Sequence, residues 1–525
     1  MTLEVKPVLI VGAGPVGLTT ALACRFYGIP FKLFEEDEGF SSDTKAGTIL
    51  TRTLEAFRRY GVAQQVLASA LRVDEIGDIE RATNKHRKSV LTSVLANDTR
   101  FPFVVNLPQH HLEPILASGL EDTPPGTMNL SHKLTGFEQK QDSVCVSFET
   151  PQGPKTFEGS HLLACDGGRS TVRGLLDIPV EGVSLDVRYM LVDIKVDLDV
   201  HNPRDYPYLS YFSDPKEWMV LVRQPHCWRF LFPLAAGAQQ ATAEQLAEKA
   251  RRFIGNVGQL EVLNTVIYNV HHRIASKWRD GRVFLLGDAA HLITPMWALG
   301  LNTGILDAIN LPWRLAWVLR GWASDTLLDG YSAEQRPLAL HGSGEMAEAA
   351  RALMGGATST INAMSGEAFD VAMTRTMLGV RLDVDGGGNC SIVKSGETAV
   401  SVGDRIPDMD VFDGSGRVRR VHELVDDTFA ALHFVDVRKR PVIPTVASSG
   451  LSHFVVSRRD APLDSGLRNQ AILDIGDQFR QRLGLEADSI VLVRPDDHIA
   501  AILPAGGPVV DVYRRITGQT TTCAR

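Results

Sequence analysis

The sequence predicts an α/β protein in which a parallel sheet wound with helices is interrupted by a mostly antiparallel insert and followed by a further unit. Three observations carry this. Pro7-Val-Leu-Ile-Val-Gly-Ala-Gly-Pro-Val-Gly-Leu18 is an apolar strand running into Gly12-x-Gly14-x-x-Gly17. Far downstream, Arg282-Val-Phe-Leu-Leu286 is a second strand-like run that leads into an acid-bearing turn and a new helix. Between them, Val187 to His272 breaks into short alternating runs separated by turn clusters such as Ser213-Asp-Pro-Lys and Gln224-Pro-His, the pattern of antiparallel strands.

With 525 residues and 44% apolar content, the chain can bury more than one core. A formal net charge of -8 and no basic run argue against a general nucleic-acid binder. The six cysteines are scattered, with no CxxC, which predicts reduced thiols in a cytoplasmic setting and neither a disulfide frame nor a metal site. No signal peptide is expected from the opening residues, and no stretch approaches the ~20 uncharged apolar residues of a membrane span.

Taken in order, the first strand, the glycines, a helix from Pro15 to Gly28 and a second strand, Phe31 to Phe34, end in Glu35-Glu36. This is the Rossmann-like βαβ fingerprint. Gly12 makes the tight turn and Gly14 lets the backbone, with Pro15 and Val16, approach a pyrophosphate. Gly17 lets the helix pack on the strand. Glu35, about 20 positions after the first glycine, is placed to bind ribose hydroxyls. FAD and NAD both satisfy that arrangement. Period-two alternation in the insert puts Met219, Leu221 and Arg223 on one face, and Trp228, Phe230 and Phe232 on one face of the next strand. Aromatic rings beside a guanidinium suit a planar aromatic ligand, while core packing accounts better for Phe230 and Phe232. Adjacent His110 and His111 cannot face one ligand from a helix and are expected at the surface or satisfied. Domain boundaries are expected at 1–180, 181–272, 273–354, 355–398 (a Gly/Ala/Ser/Thr-rich linker with a helix) and 399–525.

Gly287-Asp-Ala-Ala-His-Leu-Ile-Thr-Pro-Met-Trp-Ala-Leu-Gly-Leu-Asn302 joins the second strand to a helix over Thr303–Leu319. A helix N-terminus with unpaired N–H groups suits an anionic ligand, and Asp288 at the strand end can accept a bond from a hydroxyl. With the glycine motif, this stretch resembles the FAD-dependent aromatic hydroxylases, single-component flavoprotein monooxygenases typified by para-hydroxybenzoate hydroxylase. The resemblance extends to Asp166-Gly-Gly-Arg-Ser170-Thr-Val-Arg173, to Pro108-Gln109, to Asp307, Asn310 and Trp313, and to Lys45 and Arg52, where relatives usually carry two arginines. It implies FAD contacts at Gly12, Gly14, Pro15, Val16, Gly17, Glu35, Glu36, Lys45, Arg52, Gln109, Asp166, Gly287, Asp288, Pro295, Gly300, Leu301 and Asn302. Gln109 serves equally as a helix cap and Lys45 as a solvated basic residue, while Ser170 is read as a helix cap. The Pro295 carbonyl is implied beside the oxygen-transfer site, with Tyr211 as the substrate-contacting tyrosine. Tyr211, Arg223, Trp228, Met296 and Trp297 then form the substrate pocket, and Tyr211 or His226 handles a phenolic proton.

The implied chemistry is reduction of FAD by NADH or NADPH, reaction with O2 to a C4a-hydroperoxide, and hydroxylation of a small phenolic or other electron-rich aromatic substrate. With no second GxGxxG, the nicotinamide visits transiently. The same chemistry serves Baeyer–Villiger, epoxidation or polyketide-type oxidation, and a non-catalytic FAD-fold binding protein stands as the alternative from another class. Two departures stand out: Trp297-Ala-Leu-Gly300 replaces a glycine-rich run, and Pro312 lies inside the helix, where it is expected to introduce a kink. Gly403-Asp-Arg-Ile-Pro-Asp408 and Arg494-Pro-Asp resemble the thioredoxin-like C-terminal domain of the longer phenol and phenylpropionate hydroxylases. Lacking CxxC, that unit is expected to be structural or to stabilise a homodimer.

Overall fold

The structure is a computed structural model describing residues 6–41, 47–81, 83–201, 203–214, 217–235, 241–293, 298–344, 381–382, 399–425, 427–435, 448–457, 470–486 and 488–519. The anticipated linker, apart from 381–382, therefore lies outside the described residues.

The first sheet forms where the sequence places it. Strand β1 (Val8–Val11) feeds helix α1 (Pro15–Phe26), and β2 (Phe31–Phe34) returns parallel to β1. Helices α2 (Thr51–Arg59) and α3 (Gln109–Ser118) follow, then β3 (Leu162–Ala164), which pairs parallel with β1 on its other side. The all-buried Val-Leu-Ile-Val of β1 is the apolar run a strand covered on both faces requires.

The insert begins with β4 (Val180–Lys195), then β5 (Leu209–Ser213), β6 (Met219–Arg223) and β7 (Trp228–Ala235). Helix α4 (Ala243–Ile254) and the long β8 (Glu261–Ala275) complete it. The chain then rejoins the first sheet through β9 (Val283–Leu285), parallel to β3, and enters α5 (Leu299–Leu319). Two features escaped the sequence reading. Helix α4 is announced by a capping box in which Thr242 and Gln245 bond each other's backbone N–H groups. The insert sheet also recruits strands from elsewhere: Glu75–Glu80 lies parallel to β5, and His291–Leu292 closes the other edge on β8. The β5 edge is thereby paired along its length, while β8 is paired on that side at Arg273 and Ile274. Helix α5 starts a turn earlier than expected and stays helical through Pro312.

Beyond residue 399, β10 (Phe429–Phe434), β11 (Leu451–Ser457), β12 (Ser489–Val493), β13 (Ile499–Pro504) and α6 (Val509–Ile516) form the end unit. β10 and β11 are parallel, while β12 runs antiparallel to β10 and β13 antiparallel to β12. Among the described residues no helix is long and apolar enough to cross a membrane.

Candidate active site

The two motifs that are distant in sequence come together around Val16. Helices α1 and α5 pack along each other, and Val16 is the tight point. A Cβ on Gly287 would lie 2.9 Å from a Val16 methyl, and one on Gly304 would lie 2.7 Å away. On the near side, Gly12 has φ +97°, and a Cβ there would stand 2.3 Å from the Cys165 carbonyl oxygen. A Cβ on Gly17 would meet the Gly12 carbonyl at 1.8 Å, so helix and turn touch directly. Gly14 differs: a Cβ would have nothing within 4 Å. Helix α1 starts beside that open space at Pro15, with no side chain capping its N-terminus. Glu35 folds back so that its Oε2 accepts the Ala13 N–H at 2.6 Å, bracing the glycine turn, and Glu36 beside it is exposed.

At the other end, Gly287 adopts φ +57° and donates its N–H to Asp307 Oδ2 at 2.8 Å. Asp288 follows in an exposed position. Helix α5 begins after Ala298, a left-handed residue at φ 58°, again without a side-chain cap. Gly300 and Leu301 occupy its first turn, partly exposed. Two uncapped helix starts, open space over Gly14 and a surface carboxylate at Asp288 fit an elongated, doubly anionic dinucleotide.

Several expected contacts go elsewhere. Arg52 is buried in α2 and gives its guanidinium to Asp497 (2.6 Å), Glu55 (3.2 Å) and the Asp496 carbonyl (2.5 Å), so it ties the end unit down instead of facing the cleft. Asn302 spends its whole amide inside the protein. Its Oδ1 accepts from Leu50 N–H (2.9 Å) and Thr53 Oγ1 (2.7 Å), and its Nδ2 donates to the Thr48 (3.1 Å) and Ala298 (2.6 Å) carbonyls. Gln109 donates to Glu113 at 2.8 Å along its own helix. Asp166 Oδ2 caps the Val172 N–H at 3.1 Å, and burial raises its carboxyl above the ordinary range. Ser170 caps the Arg173 N–H, the plain structural role. Lys45, Pro295, Met296 and Trp297 lie outside the described residues.

The aromatic pocket needs a larger correction. Met219 and Leu221, like Trp228, Phe230 and Phe232, do share a sheet face, but α4 covers it, packing Leu246, Ala250, Phe253 and Ile254 against them. Trp228 is core, and Arg223 is held at the strand end by Asp199 at 2.9 Å. The opposite face turns to the first sheet's core and carries Tyr211, Tyr189 and Trp218, with Tyr268 packed on it. Tyr189 meets Trp218 edge-on at 5.2 Å and Tyr268 at 6.0 Å. Alternation alone gives the pairing of residues but not which face is covered, so Trp228 and Arg223 fall on the helix-covered face while Tyr211 falls on the other. Burial pushes the Tyr211 and Tyr268 hydroxyls well above their ordinary range. On this face the buried Arg229 is committed to Asp193 at 2.8 and 3.1 Å. His226 is exposed in the turn between β6 and β7, against His111, and burial lowers His110 and His111. Among the described residues no three side chains are grouped to hold a metal.

The family model for an FAD binding domain matches residues 5–341. Para-nitrophenol 4-monooxygenase of Pseudomonas sp. is 30% identical over 339 residues, which cover 63% of this chain and 83% of that protein. The chain belongs to the FAD-dependent aromatic hydroxylase family. It is a flavin-dependent monooxygenase. A 3-(3-hydroxy-phenyl)propionate/3-hydroxycinnamic acid hydroxylase of Mycolicibacterium smegmatis is 32% identical over 336 residues, 63% of this chain but only 58% of that protein. Among solved structures, p-nitrophenol 4-monooxygenase from Pseudomonas putida DLL-E4 superposes with TM-score 0.65 at 28% identity, covering 71% of this chain and 95% of that one. The flavin-dependent monooxygenase PieE, solved with FAD and substrate, shares the fold over 99% of this chain and 100% of its own, with TM-score 0.81 at 22% identity.

Proposed function

We propose that the chain consumes NADH or NADPH and O2 to hydroxylate a small phenolic or other electron-rich aromatic compound. The observation that carries this is the convergence, around Val16, of the Gly12–Gly17 turn and the Gly287–Asp288 turn, beside a buried sheet face of tyrosines and tryptophan. Relatives named for nitrophenol and for hydroxyphenylpropionate support a phenolic substrate. The chemistry FAD supplies when bound is uptake of reducing equivalents from the nicotinamide and activation of O2.

The chain's own part is to bind, orient and keep dry. Gly12, Gly14, Pro15, Val16 and Gly17 present the first turn of α1 to the pyrophosphate, with Glu35 and Glu36 on the ribose side. Gly287 and Asp288 hold the ribityl side, and the first turn of α5, at Gly300 and Leu301, offers backbone donors to an anionic ring. Pro295, Met296 and Trp297 keep the pocket roles that the resemblance implies. The Tyr211 hydroxyl stays protonated on its buried face, so its role is to donate a hydrogen bond to a substrate oxygen, not to act as base. Tyr189, Tyr211, Trp218 and Tyr268 pack as a buried aromatic face, and a substrate ring held against that face is kept from water.

The end unit is read as thioredoxin-like, supported by the central parallel pair β10–β11 flanked by antiparallel β12 and β13 with α6 after them. Without CxxC it serves as a structural or dimer-forming module. The scattered cysteines without CxxC support a cytoplasmic location as part of this reading. The test is a panel of phenols, hydroxylated aromatic acids and hydroxypyridines. At least one phenol is expected to accelerate NAD(P)H oxidation with a matching hydroxylated product, and a panel that accelerates nothing contradicts the proposal.

A further inference from the structure

We propose that Asp307 and His291 are positioning residues: a buried pair that fixes the Gly287–Ala289 turn and so aims Asp288 into the cofactor cleft. The inference rests on the reading of that cleft as the FAD site. Oδ2 of Asp307 receives two bonds at once, from the Gly287 N–H at 2.8 Å and from His291 Nε2 at 2.9 Å. Both side chains are at 0% exposure. The imidazole lies flat on Trp278, with centroids 5.2 Å apart and planes at 25°, and Trp278 is itself fixed by its N–H to the Ala275 carbonyl at 3.1 Å. From the opposite side Val16 leaves no room for a Cβ on Gly287. The turn is thus gripped between an acceptor on α5 and a methyl on α1.

The atoms left over show which proton is used. His291 Nδ1 and Asp307 Oδ1 are buried with no partner. An unbonded N–H in such a pocket costs more than a bare lone pair beside apolar atoms, so the network assigns the proton to Nε2, where it is given to Asp307. The carboxylate that receives it also receives the Gly287 N–H. Gly287-Asp-Ala-Ala-His291 therefore contains an exposed acid and, a few residues on, half of its own brace. The other half sits on the helix whose N-terminus forms the far end of the cleft. Neither residue touches the cleft, so the pair acts through Asp288, as partners behind a ligand-binding group commonly do.

The experiment titrates apoprotein with FAD, following flavin fluorescence, for wild type, Asp307→Ala, His291→Phe and His291→Gln, with thermal unfolding of each apoprotein. His291→Phe keeps the stack on Trp278 and loses the donor, and His291→Gln restores a side-chain N–H. The expected result is a Kd raised about tenfold or more for Asp307→Ala and His291→Phe, with His291→Gln within about threefold of wild type. Apoprotein of His291→Phe, which leaves the Asp307 carboxylate one donor short, is expected to melt below His291→Gln, and substrate KM at saturating FAD is expected to stay unchanged. A His291→Phe Kd within about twofold of wild type, or a His291→Gln no better than His291→Phe, overturns the proposal. Wild-type apoprotein that fails to bind FAD overturns the cofactor reading instead, so the two failures are told apart by the first titration.

Discussion

Gly14 and Gly17 share one turn, yet their surroundings predict opposite consequences for adding a methyl. Gly14 has extended backbone, φ -69° and ψ -179°, which alanine adopts freely, and empty space where the Cβ would go. Gly14→Ala is expected to leave apoprotein melting unchanged while weakening FAD binding about tenfold or more, read by fluorescence titration. Gly17→Ala drives a methyl into the Gly12 carbonyl and is expected to lower apoprotein stability outright. Tyr211→Phe removes only a hydroxyl from a buried ring, so the fold should hold while substrate KM rises several-fold, which steady-state kinetics checks. At this scale the glycines were legible because backbone constraints write themselves into residue type. Arg52 was not: its partner Asp497 lies 445 residues away, and no local pattern announces it.

At the scale of elements, α5 is the spine. Its start is pinned to β-strand Thr48–Ile49 and the head of α2 by Asn302, its middle braces the Gly287 turn through Asp307, and its later turns dock the end unit. There, Asn310 Nδ2 donates to Asp496 at 3.4 Å and Trp313 Nε1 donates to Asp496 at 3.1 Å. Asn302→Ala deletes a fully committed buried amide and strands the Leu50 N–H. A loss of about 2–4 kcal/mol in denaturant unfolding is expected, with FAD affinity falling as the helix start loosens. The helix, the βαβ unit and most insert strands were readable from periodicity. The covered face of the insert was not, because period-two alternation is symmetric between faces and only α4 and the first sheet break the tie.

At the scale of the whole molecule, the end unit is joined to the flavin-binding body by buried charge. Arg494 pairs Glu334 (2.7 and 2.8 Å) and Asp496 (2.9 Å), Arg314 pairs Glu334 (2.7 Å), and Arg59 joins Arg52 on Asp497. Arg405 pairs Glu55 (2.8 Å), and Arg100 pairs Asp408 (2.9 Å). The Arg494-Pro-Asp stretch thus gains a docking role that the sequence alone could only match to a motif. Burial would raise Glu334, but Arg314 and Arg494 overcome it and hold the carboxyl at about 2, from 4.5. Asp408, likewise opposed by burial, is held at about 2 by His422 and Arg100, from 3.8. Folded-state values below the unfolded ones mean stability present above about pH 4.5 and lost as pH falls toward 2. Glu334 alone accounts for on the order of 3 kcal/mol of that loss. Denaturant midpoints measured from pH 6 downward should fall most steeply in that window, and Asp497→Asn, which leaves two buried guanidiniums short of a partner, should cost about 3–5 kcal/mol at neutral pH.

The central claim is that one cofactor spans both turns. A crystal structure of the chain grown with FAD tests it most directly. Density should run unbroken from the Gly12–Gly14 turn, past Asp288, to the first turn of the Leu299–Leu319 helix, with the ring beneath the tyrosine face. FAD bound elsewhere, or touching only one of the two turns, would contradict it.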